Sequence, residues 1–92
     1  MAERLYALFY DYVEDVVEKR APYREAHLDL VGQWHGAGRI VMGGAVGDPP
    51  YGGLIVFRVD DPSEVESFVA DDPYVANGIV TGHRVEPWTV VT

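Results

Sequence analysis

His27 is the residue of this chain best equipped for proton chemistry. Imidazole is the side chain whose ordinary titration falls between about pH 5 and 8, so it can both take and return a proton. It stands in Arg24-Glu25-Ala26-His27-Leu28, with Tyr23 four residues before it and Leu30, Val31 and Trp34 three, four and seven after it. Those spacings place all five on one face of a helix, where an apolar stripe surrounds the imidazole. A polar group in such a place needs a hydrogen-bond partner. A backbone carbonyl would make His27 an ordinary core histidine. An acidic side chain would hold the ring as a general acid or base. The candidate acidic partner lies far along the chain, in Asp71-Asp72-Pro73-Tyr74-Val75.

The elements that must position these residues are legible in outline. Arg4 to Val13 alternates with apolar or aromatic residues on both sides, which predicts a strand covered on both faces. Asp15 to Arg20 is polar and helix-compatible, and Pro22 suits the first turn of a main helix that runs to about Gly36. Gly36-Ala37-Gly38 stops it. Arg39 to Val46 and Gly53 to Val59 read as strands, joined by the loop Gly47-Asp48-Pro49-Pro50-Tyr51-Gly52. Asp61, Pro62 and Glu64 form a capping-box start for a second helix with Val65, Phe68 and Val69 on its buried side. Asp72-Pro73 repeats the start signal for a short turn from Pro73 to Asn77, closed by Gly78. Val80 to Val91 is the last strand, and Pro87 within it implies an edge position or a bulge.

The order β-α-β-β-α-β predicts one α+β domain, residues 1–92, of ferredoxin-like type: a four-stranded antiparallel sheet with both helices on one face. The second face, rich in apolar side chains, then has nothing in the chain to cover it. Exposed apolar area of that kind marks an interface, so a homodimer packed sheet against sheet is expected.

Composition excludes several classes. Seven basic against fifteen acidic residues give a net charge of −8, with no basic cluster. Nucleic acid is therefore not an expected partner, nor is an anionic membrane surface. No run approaches the ~20 apolar residues of a membrane span. Met1-Ala2-Glu3-Arg4-Leu5 has no signal-peptide core, so a cytoplasmic location is expected. Without cysteine there is no thiolate nucleophile and no zinc-thiolate site. Three histidines without metal-ligand spacing argue against a bound metal, and no cofactor motif is present. Gly43-Gly44 with Gly47 lies between two strands, not before a helix, so it is not a phosphate loop. Those glycines instead let a ligand or the hairpin backbone approach closely. Ser63 and Ser67 belong to the capped helix and are not nucleophile candidates. His35 near a helix end and His83 on an exposed strand face are assigned no chemistry.

Three more residues could meet a substrate. Arg24, one turn before His27, either binds an anionic or phenolate oxygen or pairs on the surface with Glu18 or another acid. Tyr74 either stacks on a ring or packs the short helix. Trp34, with Tyr6, Phe9 or Tyr10, and Tyr74, is expected to line a pocket between the helices and the sheet.

Glu18-Lys19-Arg20, Arg24-x-x-His27-Leu28, Gly38-Arg39 with Gly43-Gly44, Asp72-Pro73-Tyr74-Val75 with Gly78, and Glu86-Pro87-Trp88 together resemble the YciI-like (YCII-related) proteins. The match covers nearly the whole chain, in order. It implies a dimeric ferredoxin-like domain, akin to the muconolactone isomerase-type barrels formed by paired sheets. It also implies an active site built on a His-Asp pair, which falls here on His27 and Asp72. At least one branch of the family is associated with dehydrochlorination of a chlorinated hydroxyquinol. Glu25-Ala26 stands where a proline is common between the arginine and the histidine, a change that leaves the imidazole in place.

Asp72 has a second reading as a simple helix cap, like Asp61. It serves both purposes only if one carboxylate oxygen caps and the other faces the imidazole. Two functions follow: a cofactor-independent enzyme doing acid-base chemistry of lyase or isomerase type on a small cyclic or aromatic compound, or a non-catalytic ligand-binding or accessory domain. A purely structural dimerisation module is the third possibility, disfavoured if the imidazole points into a ligand-sized cavity.

Overall fold

The computed structural model describes residues 4–92; the start of the N-terminal segment, Met1-Ala2-Glu3, lies outside the described residues. Strand β1 (Leu5–Tyr12) lies inside the sheet, flanked by β3 (Gly52–Arg58) and β4 (Val80–Pro87), with β2 (Ile40–Val46) beyond β3. The order is β2-β3-β1-β4 and every pairing is antiparallel. Alternation along β1 turns Tyr6, Leu8 and Tyr10 to the helical side, where they join Ile55 and Phe57 in the core. Leu5, Ala7 and Phe9 take the other side, opposite Arg58, Val56 and Leu54. The arrangement is the ferredoxin-like α+β fold expected from the element order.

The helical layer differs from expectation at its start. A short helix α1 (Val16–Lys19) is followed by a 3₁₀ turn over Ala21–Tyr23, and α2 (Arg24–Gly36) begins only after it. Pro22 sits in that turn, where Tyr23 N–H donates to Arg20 O at 2.9 Å, the i to i+3 bond of a tighter coil. Helix α3 (Pro62–Asp71) starts on the predicted capping box: Asp61 accepts from Ser63 N–H at 2.8 Å, and Glu64 accepts from Asp61 N–H at 3.3 Å. Helix α4 (Pro73–Ala76) is the expected short turn.

Phe57, Phe68, Leu8 and Val65 are wholly removed from solvent, each burial contributing about 1.5–3 kcal/mol. Strand β4 ends at Pro87, short of the predicted Val91. The reason is that β1 begins at Leu5, so among the described residues Trp88, whose N–H donates to Leu5 O at 2.9 Å, makes the last backbone bond to it. Strand β4 is an edge strand, as Pro87 implies.

Candidate active site

The one buried residue of α2 is His27. Across from it, Asp72 links α3 to α4: its N–H donates to Val69 O at 3.2 Å, and its carboxylate caps α4 by accepting from Tyr74 N–H at 3.0 Å. That carboxylate is 0% exposed. A lone buried carboxylate would cost several kcal/mol. Here three donors offset the cost. Oδ1 lies 2.8 Å from His27 Nδ1 and also takes the Tyr74 amide, while Oδ2 accepts from Tyr10 Oη at 2.8 Å. One oxygen therefore both caps and faces the imidazole, contrary to the division of labour expected from the sequence. An oxygen with two lone pairs can accept twice, and the second oxygen is taken by a phenol from β1.

This geometry fixes the chemistry of the ring. As a carboxylate Asp72 can only accept, so Nδ1 of His27 carries a hydrogen, and in the neutral ring Nε2 bears the lone pair. No buried side-chain nitrogen or oxygen among the described residues lacks a partner. Nε2 has no protein partner among them, so it is reached by solvent. The ring itself is held from one side: His27 lies parallel to Tyr74, with centroids 3.8 Å apart and planes 4° apart.

His27 opens on a cavity of about 260 Å³. Beside His27 it is lined by Tyr12 and Tyr74, by Leu28, Val31 and Ile55, by the small residues Gly43, Gly44 and Ala45, and by Arg20 and Arg24. A Cβ on Gly43 would stand 3.1 Å from Ile55 Cγ1, so the missing side chain keeps that wall clear, whereas one on Gly44 would meet open space. Gly53 does the same for Tyr12: a Cβ there would lie 2.8 Å from the phenol oxygen. Burial pushes the Tyr74 phenol up, while the Arg20 and Arg24 guanidiniums pull it part of the way back. Tyr12 is raised chiefly by burial, and Tyr10 well beyond the usual range by burial and by the Asp72 charge. Tyr10 thus remains a hydrogen donor to Asp72.

Of the residues singled out in the sequence, His27, Arg24, Tyr74, Gly43 and Gly44 line this cavity, and Asp72 stands directly behind His27. Trp34 does not line it. Its ring packs edge-on against Phe57 and Phe68, at 5.7 and 5.5 Å, under the Arg39 guanidinium at 3.9 Å. Tyr6 and Phe9 are also elsewhere, Phe9 on the opposite sheet face beneath Arg84. Arg24 makes no pair with Glu18 among the described residues. His35 lies in the last turn of α2, and His83 Nε2 meets Glu66 Oε1 at 2.8 Å on the surface. Among the described residues no cluster of three or more metal-ligating side chains occurs, and no helix is long and apolar enough to cross a membrane.

Tyr12 and Arg20 were not singled out from the sequence, and Tyr10, expected as a cavity wall, instead stands behind the cavity as a donor to Asp72. A signal for the partners of Tyr10 and Tyr12 was present, since tyrosines on the core side of one strand must find partners for their hydroxyls.

Fold and site together define a ferredoxin-like domain with a buried His-Asp-Tyr cluster at the back of a small cavity. The chain belongs to the YCII-related domain family, whose model matches residues 4–89. Its fold is similar to that of 5-chloro-2-hydroxyhydroquinone dehydrochlorinase from Burkholderia phenoliruptrix, solved in complex with 2,5-dihydroxybenzoquinone. The TM-score is 0.77 at 22% identity, over 92% of this chain and 93% of that one. A dimeric ferredoxin-like protein from an uncultured marine organism is similar over 100% of this chain and 90% of that chain, at 15% identity and a TM-score of 0.54. No curated protein matches the sequence.

Proposed function

We propose that this protein is a cofactor-independent enzyme that uses His27 and Asp72 for acid-base chemistry of lyase or isomerase type on a small cyclic or aromatic compound. The observation that carries the reading is the 2.8 Å contact of His27 Nδ1 with a buried carboxylate, which leaves Nε2 free at a ligand-sized cavity. In this scheme Nε2 takes a proton from a ring carbon or hydroxyl of the substrate. The electron pair left behind forms a new double bond. A leaving group then departs with its bonding pair, or the imidazolium returns the proton to another carbon. Asp72 stabilises the imidazolium through Nδ1–H and keeps the ring in one orientation. The family membership and the likeness in fold to a dehydrochlorinase support the lyase branch.

The same reading places the 92 residues in a single domain that works as a homodimer through the open sheet face. On that face Met42 is 65% and Val46 38% exposed beside the half-buried Phe9 and Leu54. The dimeric ferredoxin-like relative in fold supports this assembly.

The test is a screen of hydroxylated and halogenated single-ring compounds, read by halide release and by ultraviolet spectra. Turnover by the wild type and not by folded His27→Ala supports the proposal. Turnover that survives in His27→Ala contradicts it.

A further inference from the structure

The chain carries a net charge of −8, yet two of its seven cations line one cavity. Neither Arg20 nor Arg24 forms an ion pair with a carboxylate among the described residues, although the chain is rich in acids. No acidic residue lines the cavity itself. Arg24 is moreover the first residue of the 13-residue helix α2. A cation there opposes the helix dipole, whose positive end would favour an acid. Helix stability does not account for that placement.

We propose that Arg20 and Arg24 act as a two-guanidinium clamp, and that the site takes a single-ring ligand bearing two anionic oxygen groups. This rests on the reading of the cavity as the substrate site and adds the class of substrate. The cavity size, about 260 Å³, falls below the ~300–1,000 Å³ of pockets for drug-sized ligands, which limits the occupant to about one ring. Its walls provide two phenol rings, Tyr12 and Tyr74, and three aliphatic side chains for a flat apolar body. Its polar cations are both guanidiniums, which bind carboxylate or phenolate oxygens through paired N–H donors. Both act on the Tyr74 phenol, each drawing its titration down, so their fields overlap within the cavity. Against a net negative charge, a local pair of positive charges favours anions at this cavity.

Equilibrium binding with non-reacting probes tests the clamp separately from catalysis. Benzoate, phthalate, isophthalate and terephthalate are titrated into the wild type, Arg20→Gln, Arg24→Gln and Lys19→Gln, with folding verified by circular dichroism. Lys19 is an exposed cation next to Arg20 that does not line the cavity, so its replacement removes charge without removing the clamp. The expected result is that at least one dicarboxylate binds the wild type about tenfold more tightly than benzoate, the scale of one partly solvated charge-assisted contact. Arg20→Gln and Arg24→Gln should each abolish that preference, and Lys19→Gln should retain it. The proposal is overturned if no dicarboxylate outbinds benzoate, or if the preference survives in Arg20→Gln. A dianion preference without His27-dependent turnover would uphold the clamp and defeat the catalytic reading. Turnover without the preference would do the reverse.

Discussion

Tyr74 holds His27 in two ways at once. Its ring lies parallel to the imidazole at 3.8 Å, and its backbone N–H donates to the Asp72 oxygen that His27 Nδ1 touches. The cap of a four-residue helix and the orientation of the imidazole are therefore set by one residue. The position serves packing and the site together, which a sequence reading treated as alternatives.

Tyr74→Leu separates these contributions, because it keeps the amide and removes the ring. Loss of a buried aromatic should cost about 1–3 kcal/mol in urea unfolding. Turnover should fall by more than the loss of folded protein, because the imidazole gains freedom. Activity that merely follows the folded fraction would show that the stacking is only structural.

Tyr10→Phe removes a hydrogen bond to a buried carboxylate, worth about 1.5–3 kcal/mol. It should also alter the alkaline limb of stability. An unfolded tyrosine ionises near pH 10, whereas burial and then the Asp72 charge raise Tyr10 in the folded protein. The folded state keeps a proton that the unfolded chain loses. That contribution is complete below about pH 10 and is lost as pH rises beyond it. Tyr12 and Tyr74, both raised chiefly by burial, act in the same direction. Urea unfolding from pH 8 to 11 should show Tyr10→Phe less stable at the start and less steeply destabilised above pH 10. Parallel slopes would contradict the role given to this phenol.

The contrast between Asp72 and Tyr10 shows what the sequence could disclose. Asp72 announces itself locally, as an acid before proline at a helix start, and the family resemblance pairs it with His27. Tyr10 reaches it across 62 residues of sequence, through the sheet topology, and no local pattern encodes that contact. Trp34 shows the opposite limit. It shares the stripe of His27, two turns away, but α2 carries it past the cavity to Phe57 and Phe68. Helical periodicity identifies which face is buried and is silent on what lies opposite each turn. Likewise the strand after Val80 was read too long because its apolar pattern continues beyond the end of its partner, β1.

The open sheet face carries the expectation about assembly. Sedimentation at micromolar concentration should give a dimer, and Met42→Glu combined with Leu54→Glu, two positions on that face, should give a folded monomer. A monomeric wild type would contradict the sheet-to-sheet interface.

The central claim is that His27 moves a proton. With a substrate from the screen, kcat of folded His27→Gln measures this most directly, since glutamine fills the space and hydrogen-bonds without accepting a proton near neutral pH. A drop of about 10²–10⁴-fold, the usual scale for a general acid-base group, is the predicted result. Wild-type kcat in a folded His27→Gln dimer would contradict it.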